Sequence, residues 1–256
     1  MSELPPPPTF RFDGKTAIVT GAGRGVGEAI ARLFHEAGAR VLVTDVIGET
    51  ASSVATALDA SGETALPFTL DVRRKQDFNA ALGFVCERWG RVDIVVNNAG
   101  YGKRTPVQDI TPEEFDDIVA INMRSVFLSC QVFTEHMRAN GYGRIVNVTS
   151  LAGQNGGTVA SPHYAAAKAG ANMLTKYFAQ LMARTGVTVN AVCPGPISSA
   201  KSRLSAEQIE RIHSLVPVGR FAEPIEIATA VALLASDHGG FFQGATLDMN
   251  GGLFMR

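Results

Sequence analysis

Short apolar runs and longer helical stripes alternate along the whole chain. Runs rich in β-branched residues predict buried strands, and apolar positions three or four residues apart predict helices. The predicted strands cover 16–19, 40–44, 64–70, 92–96, 144–149, 187–192 and 245–249. The predicted helices cover 28–37, 49–60, 75–89, 111–140, 163–184, 206–214 and 224–236. Strands that alternate with helices from end to end predict an α/β fold, in which a parallel sheet carries helices on both faces.

The composition narrows the classes of protein. The net charge of −1 gives no electrostatic case for binding nucleic acid or an anionic membrane. No apolar run is long enough to cross a bilayer. The cysteines at 86, 130 and 193 lack the spacing of a zinc site or a disulfide framework. That pattern favours a cytoplasmic protein without a bound metal.

The chain shows no linker or internal repeat after its first residues. Residues 1–10 include four consecutive prolines and predict an extended, flexible tail. Residues 11–256 are expected to form a single domain, because the alternating pattern continues without a change in composition.

A glycine-rich loop, residues 20–27, joins the first predicted strand to the first predicted helix. Glycine permits positive φ angles and close approach of a ligand, and the helix N-terminus offers N–H groups to a phosphate. The spacing Gly-x-x-x-Gly-x-Gly differs from the Gly-x-Gly-x-x-Gly dinucleotide fingerprint. A flexible turn is the alternative to a phosphate cradle. The loop residues expected to contact a cofactor are Gly21, Arg24, Gly25, Val26 and Gly27.

Asp45 ends the second predicted strand, at the distance from the loop where an acid meets an adenosine ribose in a βαβ unit. A carboxylate there can bind the ribose hydroxyls and would repel a 2′-phosphate, so it favours NAD over NADP. Arg24 argues weakly for NADP, since an arginine in the glycine loop could pair with that phosphate. Asp45 could also be an acid in a surface loop.

Two further strand ends carry candidate cofactor contacts. Asp71-Val72 follows the third predicted strand, where such a pair can meet the edge of an adenine or form a simple turn. Asn97 and the three residues after it, Asn98, Ala99 and Gly100, follow the fourth predicted strand. Doubly wound sheets bind ligands at this end, although an Asn-Gly sequence is also typical of turns.

Tyr164 and Lys168 lie one turn apart on a predicted helix and share a face. We expect the ammonium of Lys168 to lower the tyrosine pKa, so that the phenol can exchange a proton with an alcohol or ketone. Ser150, at the end of the fifth predicted strand, could bond the same oxygen. Asn122 falls on a buried helix face and could hold a water near Lys168. A partly exposed helix pair and a satisfied core amide are the structural alternatives.

With these motifs in place, the chain resembles the short-chain dehydrogenase/reductase family from about residue 14 to 252. The motifs are Thr20-Gly-x-x-x-Gly-x-Gly27, Asp71, Asn97-Asn-Ala-Gly100, Asn122, Ser150, Tyr164-x-x-x-Lys168, Asn190 and Pro194-Gly195. The resemblance implies a Rossmann-type, doubly wound, seven-stranded parallel sheet and a nicotinamide cofactor. The chain is similar to the subgroup that contains bacterial 3-oxoacyl-carrier-protein reductases and many NAD-dependent secondary-alcohol dehydrogenases.

The resemblance also implies roles for individual residues. The catalytic tetrad would be Asn122, Ser150, Tyr164 and Lys168. Tyr164 would be the general acid/base, and Lys168 would also hold the nicotinamide ribose. Further cofactor contacts would come from Pro194, Gly195, Ile197 and Ser199. The substrate pocket would include Ala152, Gln154 and His163, although His163 is not expected to be catalytic. Homotetramers or homodimers would form through the helices at 111–140 and 163–184.

Three functions stay open at this point. The favoured one is NAD-dependent hydride transfer to or from a secondary alcohol or ketone. The alternative is an NADPH-dependent reductase of 3-oxoacyl thioesters on acyl-carrier protein. A remote third is a cofactor-binding sensor without turnover, against which the intact tetrad argues. A small-molecule substrate is expected in the first two cases.

Overall fold

A parallel sheet forms the centre of the computed structural model, which describes residues 9–156 and 160–255. In chain order the strands are β1 Thr16–Thr20, β2 Arg40–Asp45, β3 Ala65–Thr69, β4 Ile94–Asn97, β5 Gly143–Val148, β6 Val187–Pro194 and β7 Thr246–Met249. Within the described residues they form one seven-stranded sheet in the order β3-β2-β1-β4-β5-β6-β7. Each neighbouring pair is parallel, which confirms the expected Rossmann-type sheet.

Helices connect the strands and cover both faces. They are α1 Gly25–Glu36, α2 Gly48–Leu58, α3 Lys75–Trp89, α4 Pro112–Val119, α5 Ser125–Ala139, α6 Ala152–Asn155, α7 Pro162–Leu181, α8 Ala206–Leu215 and α9 Pro224–Ala235. Side chains of α1, α2 and α9 pack on one face of the sheet. Those of α3, α5 and α7 pack on the other. Neighbouring residues of β1 divide accordingly, because Val19 faces the first group and Ile18 the second.

The order of the strands reverses between β1 and β4. After β1 the chain winds outward through β2 and β3, and it then returns to β4 on the other side of β1. The connections after β1 and β4 therefore lead to opposite faces of the sheet, and a crevice opens between them at the carboxyl ends of the strands.

The predicted helix 111–140 is interrupted. Thr111 caps α4 through its side chain, which accepts from the Glu114 N–H. Residues Ala120–Arg124 then widen into a π-helical turn before α5 begins. π-helical turns are frequent at functional sites, and this one contains Asn122.

The first described residues are packed rather than free. Phe12 is buried, and its ring lies 4.9 Å from that of Phe34 on α1. Phe10, inside the predicted tail 1–10, also packs against this core. Residues 1–8 of that tail lie outside the described residues, and the single domain 11–256 stays a prediction.

Candidate active site

A cleft of about 770 Å³ opens at the carboxyl ends of the central strands. Its volume falls within the range usual for small-molecule and cofactor sites. Of the predicted catalytic residues, Ser150, Tyr164 and Lys168 line it. All of the predicted cofactor contacts line it as well: Gly21, Arg24, Gly25, Val26, Gly27, Asp45, Asp71, Val72, Asn98, Ala99, Gly100, Tyr164, Lys168, Pro194, Gly195, Ile197 and Ser199.

The glycine loop needs glycine at two positions for steric reasons. Gly21 has φ +62°, and a Cβ there would lie 2.9 Å from Cα of Ala99. A Cβ on Gly27 would lie 2.2 Å from the carbonyl oxygen of Gly21, so only glycine lets α1 start this close to β1. The first turn of α1 consequently faces the cleft with N–H groups that have no partner within the helix. This arrangement fits the diphosphate of a dinucleotide.

Asn98 holds the loops after β1 and β4 together. Its side-chain amide donates to the carbonyl oxygens of Thr20 and Gly21 at 2.9 and 3.0 Å. The Thr20 hydroxyl accepts from the backbone N–H groups of Asn98 and Ala99. These hydrogen bonds give partners to polar groups that would otherwise lack them in the crevice, and they fix the two loops relative to each other.

Asp45 lies at the far end of the cleft and is built into the loop. One carboxylate oxygen accepts from the Gly23 N–H at 3.1 Å, and the other accepts from the Ile47 N–H at 3.1 Å. Each oxygen keeps further acceptor capacity for ribose hydroxyls. Arg24, by contrast, is exposed at the cleft rim and does not cap α1 with its side chain.

Ser150, Tyr164 and Lys168 meet at the other end of the cleft. Ser150 follows β5, and its hydroxyl lies near enough to the Tyr164 phenol to act on the pKa of that group. Nζ of Lys168 donates to the carbonyl oxygen of Val148 at 2.8 Å and lies 5.8 Å from the centre of the Tyr164 ring. The lysine is buried, and burial lowers its pKa to about 8.

The Tyr164 pKa does not shift in the expected direction. Burial raises it above the ordinary value, and the nearby Ser150 hydroxyl opposes that rise. The prediction of a net lowering is wrong for the protein by itself. The physical reason is that loss of hydration disfavours the charged phenolate more than Ser150 favours it.

Asn122 lies behind the cleft wall and is buried. Its amide nitrogen donates to the carbonyl oxygens of Tyr101 and Ile118 at 2.8 and 2.9 Å. Its side-chain oxygen is buried and has no partner in the described chain. A Cβ on Gly100 would lie 2.6 Å from that oxygen and 3.3 Å from Nζ of Lys168. Asn122 therefore approaches Lys168 with an unused acceptor, an arrangement that fits the expected water.

The predicted substrate-pocket residues do not line the cleft. Ala152 is buried in α6, and the amide of Gln154 donates to Asp248 at 2.7 Å. His163 is fully buried, with Nε2 3.2 Å from Glu114 and its ring stacked on Phe115. Its placement in the pocket is wrong, because it projects from α7 towards α4 rather than towards the cleft.

Several cleft residues escaped the sequence analysis. They are Val46, Leu70, Arg73, Tyr101, Gly102, Ile121, Val148 and Thr149. Most of them directly follow or precede a predicted contact at a strand end, so the rule that ligands gather there could have found them. Arg73 binds the carboxylate of Asp71 through Nε at 2.9 Å and Nη2 at 2.7 Å. Asp71 is therefore held by an arginine that the motif does not include.

The described residues offer neither a membrane-spanning helix nor a metal-binding cluster. No helix among them is long and apolar enough to cross a membrane. No group of three or more His, Cys, Asp or Glu side chains in the same part of the chain could hold a metal ion.

Comparison with known proteins identifies the family. Residues 21–254 match the family model described as enoyl-(acyl carrier protein) reductase. The chain is 40% identical over 247 residues to a 3-oxoacyl-[acyl-carrier-protein] reductase of Vibrio cholerae, covering 96% of this chain and 100% of that one. It is 38% identical over 243 residues to an acetoacetyl-CoA reductase of Rhizobium meliloti, covering 94% and 98%.

A solved structure agrees with these matches. A short-chain dehydrogenase/reductase of Brucella melitensis, titled glucose/ribitol dehydrogenase, superposes with a TM-score of 0.87 at 29% identity. The match covers 97% of this chain and 100% of that one. The chain therefore belongs to the short-chain dehydrogenase/reductase family and is an NAD(P)-dependent oxidoreductase that acts on a CH–OH or keto group.

Proposed function

We propose that this protein reduces the ketone of a 3-oxoacyl thioester to a 3-hydroxyacyl thioester. The observation that carries this proposal is the meeting of Ser150, Tyr164 and Lys168 in a dinucleotide-sized cleft. The substrate class comes from the relatives, whose names specify 3-oxoacyl-carrier-protein and acetoacetyl-CoA reduction at 38–40% identity. The comparisons thus favour the thioester reductase over the simple secondary-alcohol dehydrogenase that the sequence analysis preferred.

Each residue of the site has a chemical task in this proposal. The bound nicotinamide supplies the hydride. Ser150 donates to the ketone oxygen and orients it, and Tyr164 gives that oxygen its proton as it becomes an alcohol. The raised pKa of Tyr164 keeps the phenol protonated at neutral pH, which suits a proton donor in the reductive direction. Lys168 holds a positive charge beside it, and Asn122 fixes the cleft wall.

Asp45 supports NADH as the preferred reductant. Its carboxylate is held in place by the Gly23 and Ile47 N–H groups and cannot swing away without breaking both bonds. A doubly charged 2′-phosphate beside this carboxylate would be disfavoured by about 1–2 kcal/mol even in a water-like dielectric, or roughly tenfold in affinity. The exposed Arg24 would offset part of this repulsion.

Asp45 also favours a second candidate function. A preference for NAD suits the oxidation of a secondary alcohol, the reaction that the sequence analysis favoured. In that case the same Tyr164 would accept the proton from the alcohol. The two functions differ in direction and in substrate, so one assay distinguishes them.

The test compares substrates and cofactors on the purified chain. Acetoacetyl-CoA is assayed with NADH and with NADPH, beside a simple ketone and a secondary alcohol of matched size. We expect the thioester to exceed the simple ketone in kcat/KM by about a hundredfold or more, and NADH to exceed NADPH by about tenfold. If the enzyme oxidises the secondary alcohol faster than it reduces acetoacetyl-CoA, the proposal is overturned in favour of the second candidate. A preference for NADPH would refute the role given to Asp45.

We further propose a homotetramer or homodimer built on α5 and α7. Phe127, Met173, Tyr177 and Leu181 are exposed on these helices. An association that covers them would remove apolar surface from water. Light scattering on the wild type and on Tyr177→Glu tests this, since a buried charge at the interface would shift the mass towards the monomer. The cytoplasmic location stays a prediction.

A further inference from the structure

A chain of hydrogen bonds crosses the cleft rim outside the predicted site. Arg73, which follows β3, donates from Nη1 to one oxygen of Asp117 on α4 at 3.1 Å. The other oxygen of Asp117 accepts from the phenol of Tyr101, which follows β4. Through its remaining donors Arg73 also binds Asp71. Asp117 therefore joins the segments that follow two separate strands.

The same chain continues to the predicted catalytic residues. The backbone oxygen of Tyr101 accepts from the side-chain amide of Asn122 at 2.8 Å. The next residue, Gly102, lies against the ring of Tyr164, since a Cβ there would be 3.1 Å from that ring. A shift of Tyr101 would therefore change the positions of both Asn122 and Tyr164.

The loop that follows β4 is held by side-chain hydrogen bonds rather than by the backbone hydrogen bonds of a helix or strand. Residues 98–106 form neither helix nor strand. Ser161 donates its hydroxyl to the carbonyl oxygen of Lys103, and Arg104 donates to the side chain of Gln208 at 3.3 Å. The Tyr101–Asp117 bond belongs to the same set of anchors. A loop without ladder bonds depends on such anchors for its position.

The Asp117 bonds differ from ordinary surface ion pairs. Asp117 is one-third exposed, at 33%, and its carboxylate bonds a phenol and a guanidinium at once. Isolated exposed pairs contribute little to stability. A network that also fixes a loop has a different effect, because it restricts the positions of the groups attached to that loop.

We propose that Asp117 is a positioning residue of this enzyme. It holds Tyr101 and thereby keeps residues 100–102 against Asn122 and Tyr164 in the geometry that proton transfer requires. This inference rests on the proposed catalytic role of Tyr164. It assigns no contact between Asp117 and the substrate or the reacting atoms.

The test uses variants of the full-length chain with a neighbouring control. Asp117→Ala removes both bonds, and Tyr101→Phe removes the phenol bond while keeping the ring. Asp117→Asn keeps an acceptor for the phenol. The matched control is Asp116→Ala, which removes the same charge from an exposed neighbour on α4.

The first readout requires neither cofactor nor substrate. Trypsin can cut after Lys103 and Arg104, both in the anchored loop. We expect Asp117→Ala and Tyr101→Phe to raise the initial cleavage rate there at least about fivefold, with Asp116→Ala at the wild-type rate. Asp117→Asn is expected to restore most of the protection. Equal cleavage of Asp117→Ala and Asp116→Ala would overturn the proposal.

The second readout separates turnover from binding. With acetoacetyl-CoA, we expect kcat of Asp117→Ala to fall about five- to tenfold, as misplacement of a proton donor would cause. The cofactor dissociation constant, measured by calorimetry, should change less than about twofold. A double variant with Tyr101→Phe should lose no further activity, because both changes break one connection. A loss of thermal stability with unchanged kcat would refute the positioning role.

The two readouts also separate this inference from the proposed function. If the wild type reduces no 3-oxoacyl thioester, the substrate proposal fails while the cleavage data still decide whether Asp117 anchors the loop. If turnover is normal and cleavage does not respond to Asp117, the positioning role fails and the proposed function stands.

Discussion

Lys168 is a cation buried beside the cleft, and its burial makes a measurable prediction about stability. Burial lowers its pKa from 10.5 to about 8. Below pH 8 the folded and unfolded chains both carry this proton. Between pH 8 and about 10.5 the unfolded chain binds more protons than the folded chain. The free energy of unfolding must therefore rise with pH across this window.

The size of the effect follows from the shift. A difference of 2.5 pKa units, taken from 10.5 and about 8, corresponds to about 3 kcal/mol at full titration. Between pH 7 and pH 9.5 most of this is realised, which gives about 2 kcal/mol. The relevant quantity is the stability of the wild type relative to a variant that cannot titrate at this position.

Lys168→Met supplies that variant, since methionine fills a similar volume without a charge. Lys176→Met, at an exposed lysine of the same helix, is the control. Urea unfolding at pH 7 and pH 9.5 should show the advantage of Lys168→Met over the wild type shrinking by about 2 kcal/mol. The control should show no comparable change. A constant difference between Lys168→Met and the wild type would show that the ammonium is not desolvated as described.

Three further predictions concern the cleft. Gly27→Ala should weaken cofactor binding about tenfold or more, measured by calorimetry, because its Cβ meets the Gly21 carbonyl. Gly83→Ala, where a Cβ meets nothing within 4 Å, should bind normally and be slightly more stable. Asp45→Ala should lower the preference for NADH over NADPH about tenfold in kcat/KM, and an unchanged ratio would contradict its assigned role. Asn122→Leu should lower kcat while changing the melting temperature only slightly. A lower melting temperature with unchanged kcat would make Asn122 a purely structural residue.

The regular elements could be predicted because their signals are local. The helix predicted over 75–89 coincides with α3, since its apolar residues Phe78, Ala81 and Val85 recur at helical spacing. Strand β6 runs two residues beyond the prediction, to Pro194, because Pro194 still pairs with Met249 of β7. The predicted cofactor contacts all line one cleft, because most of them follow strand ends and parallel strands end on one side of the sheet.

Features that depend on tertiary contacts could not be read in the same way. The bond between Arg73 and Asp117 joins residues 44 positions apart, and no periodicity connects them. The π-helical turn around Asn122 interrupts a segment whose apolar pattern predicts one continuous helix. His163 was misplaced because adjacent helical residues differ by about 100° in direction. That angle turns His163 away from Tyr164, but only the packing of α4 against α7 shows that it meets Glu114 and Phe115 instead of the cleft.

The most direct test of the central claim compares Tyr164→Phe with Tyr177→Phe. Both lie on α7, but Tyr177 lies outside the cleft, and Tyr177→Phe keeps the apolar ring that the proposed interface would cover. The measurement is the rate of acetoacetyl-CoA reduction, with cofactor binding checked by calorimetry. We predict that Tyr164→Phe binds the cofactor normally and loses activity by at least about a hundredfold, while Tyr177→Phe equals the wild type. Turnover by Tyr164→Phe at the wild-type rate would contradict the assignment of Tyr164 as the proton donor.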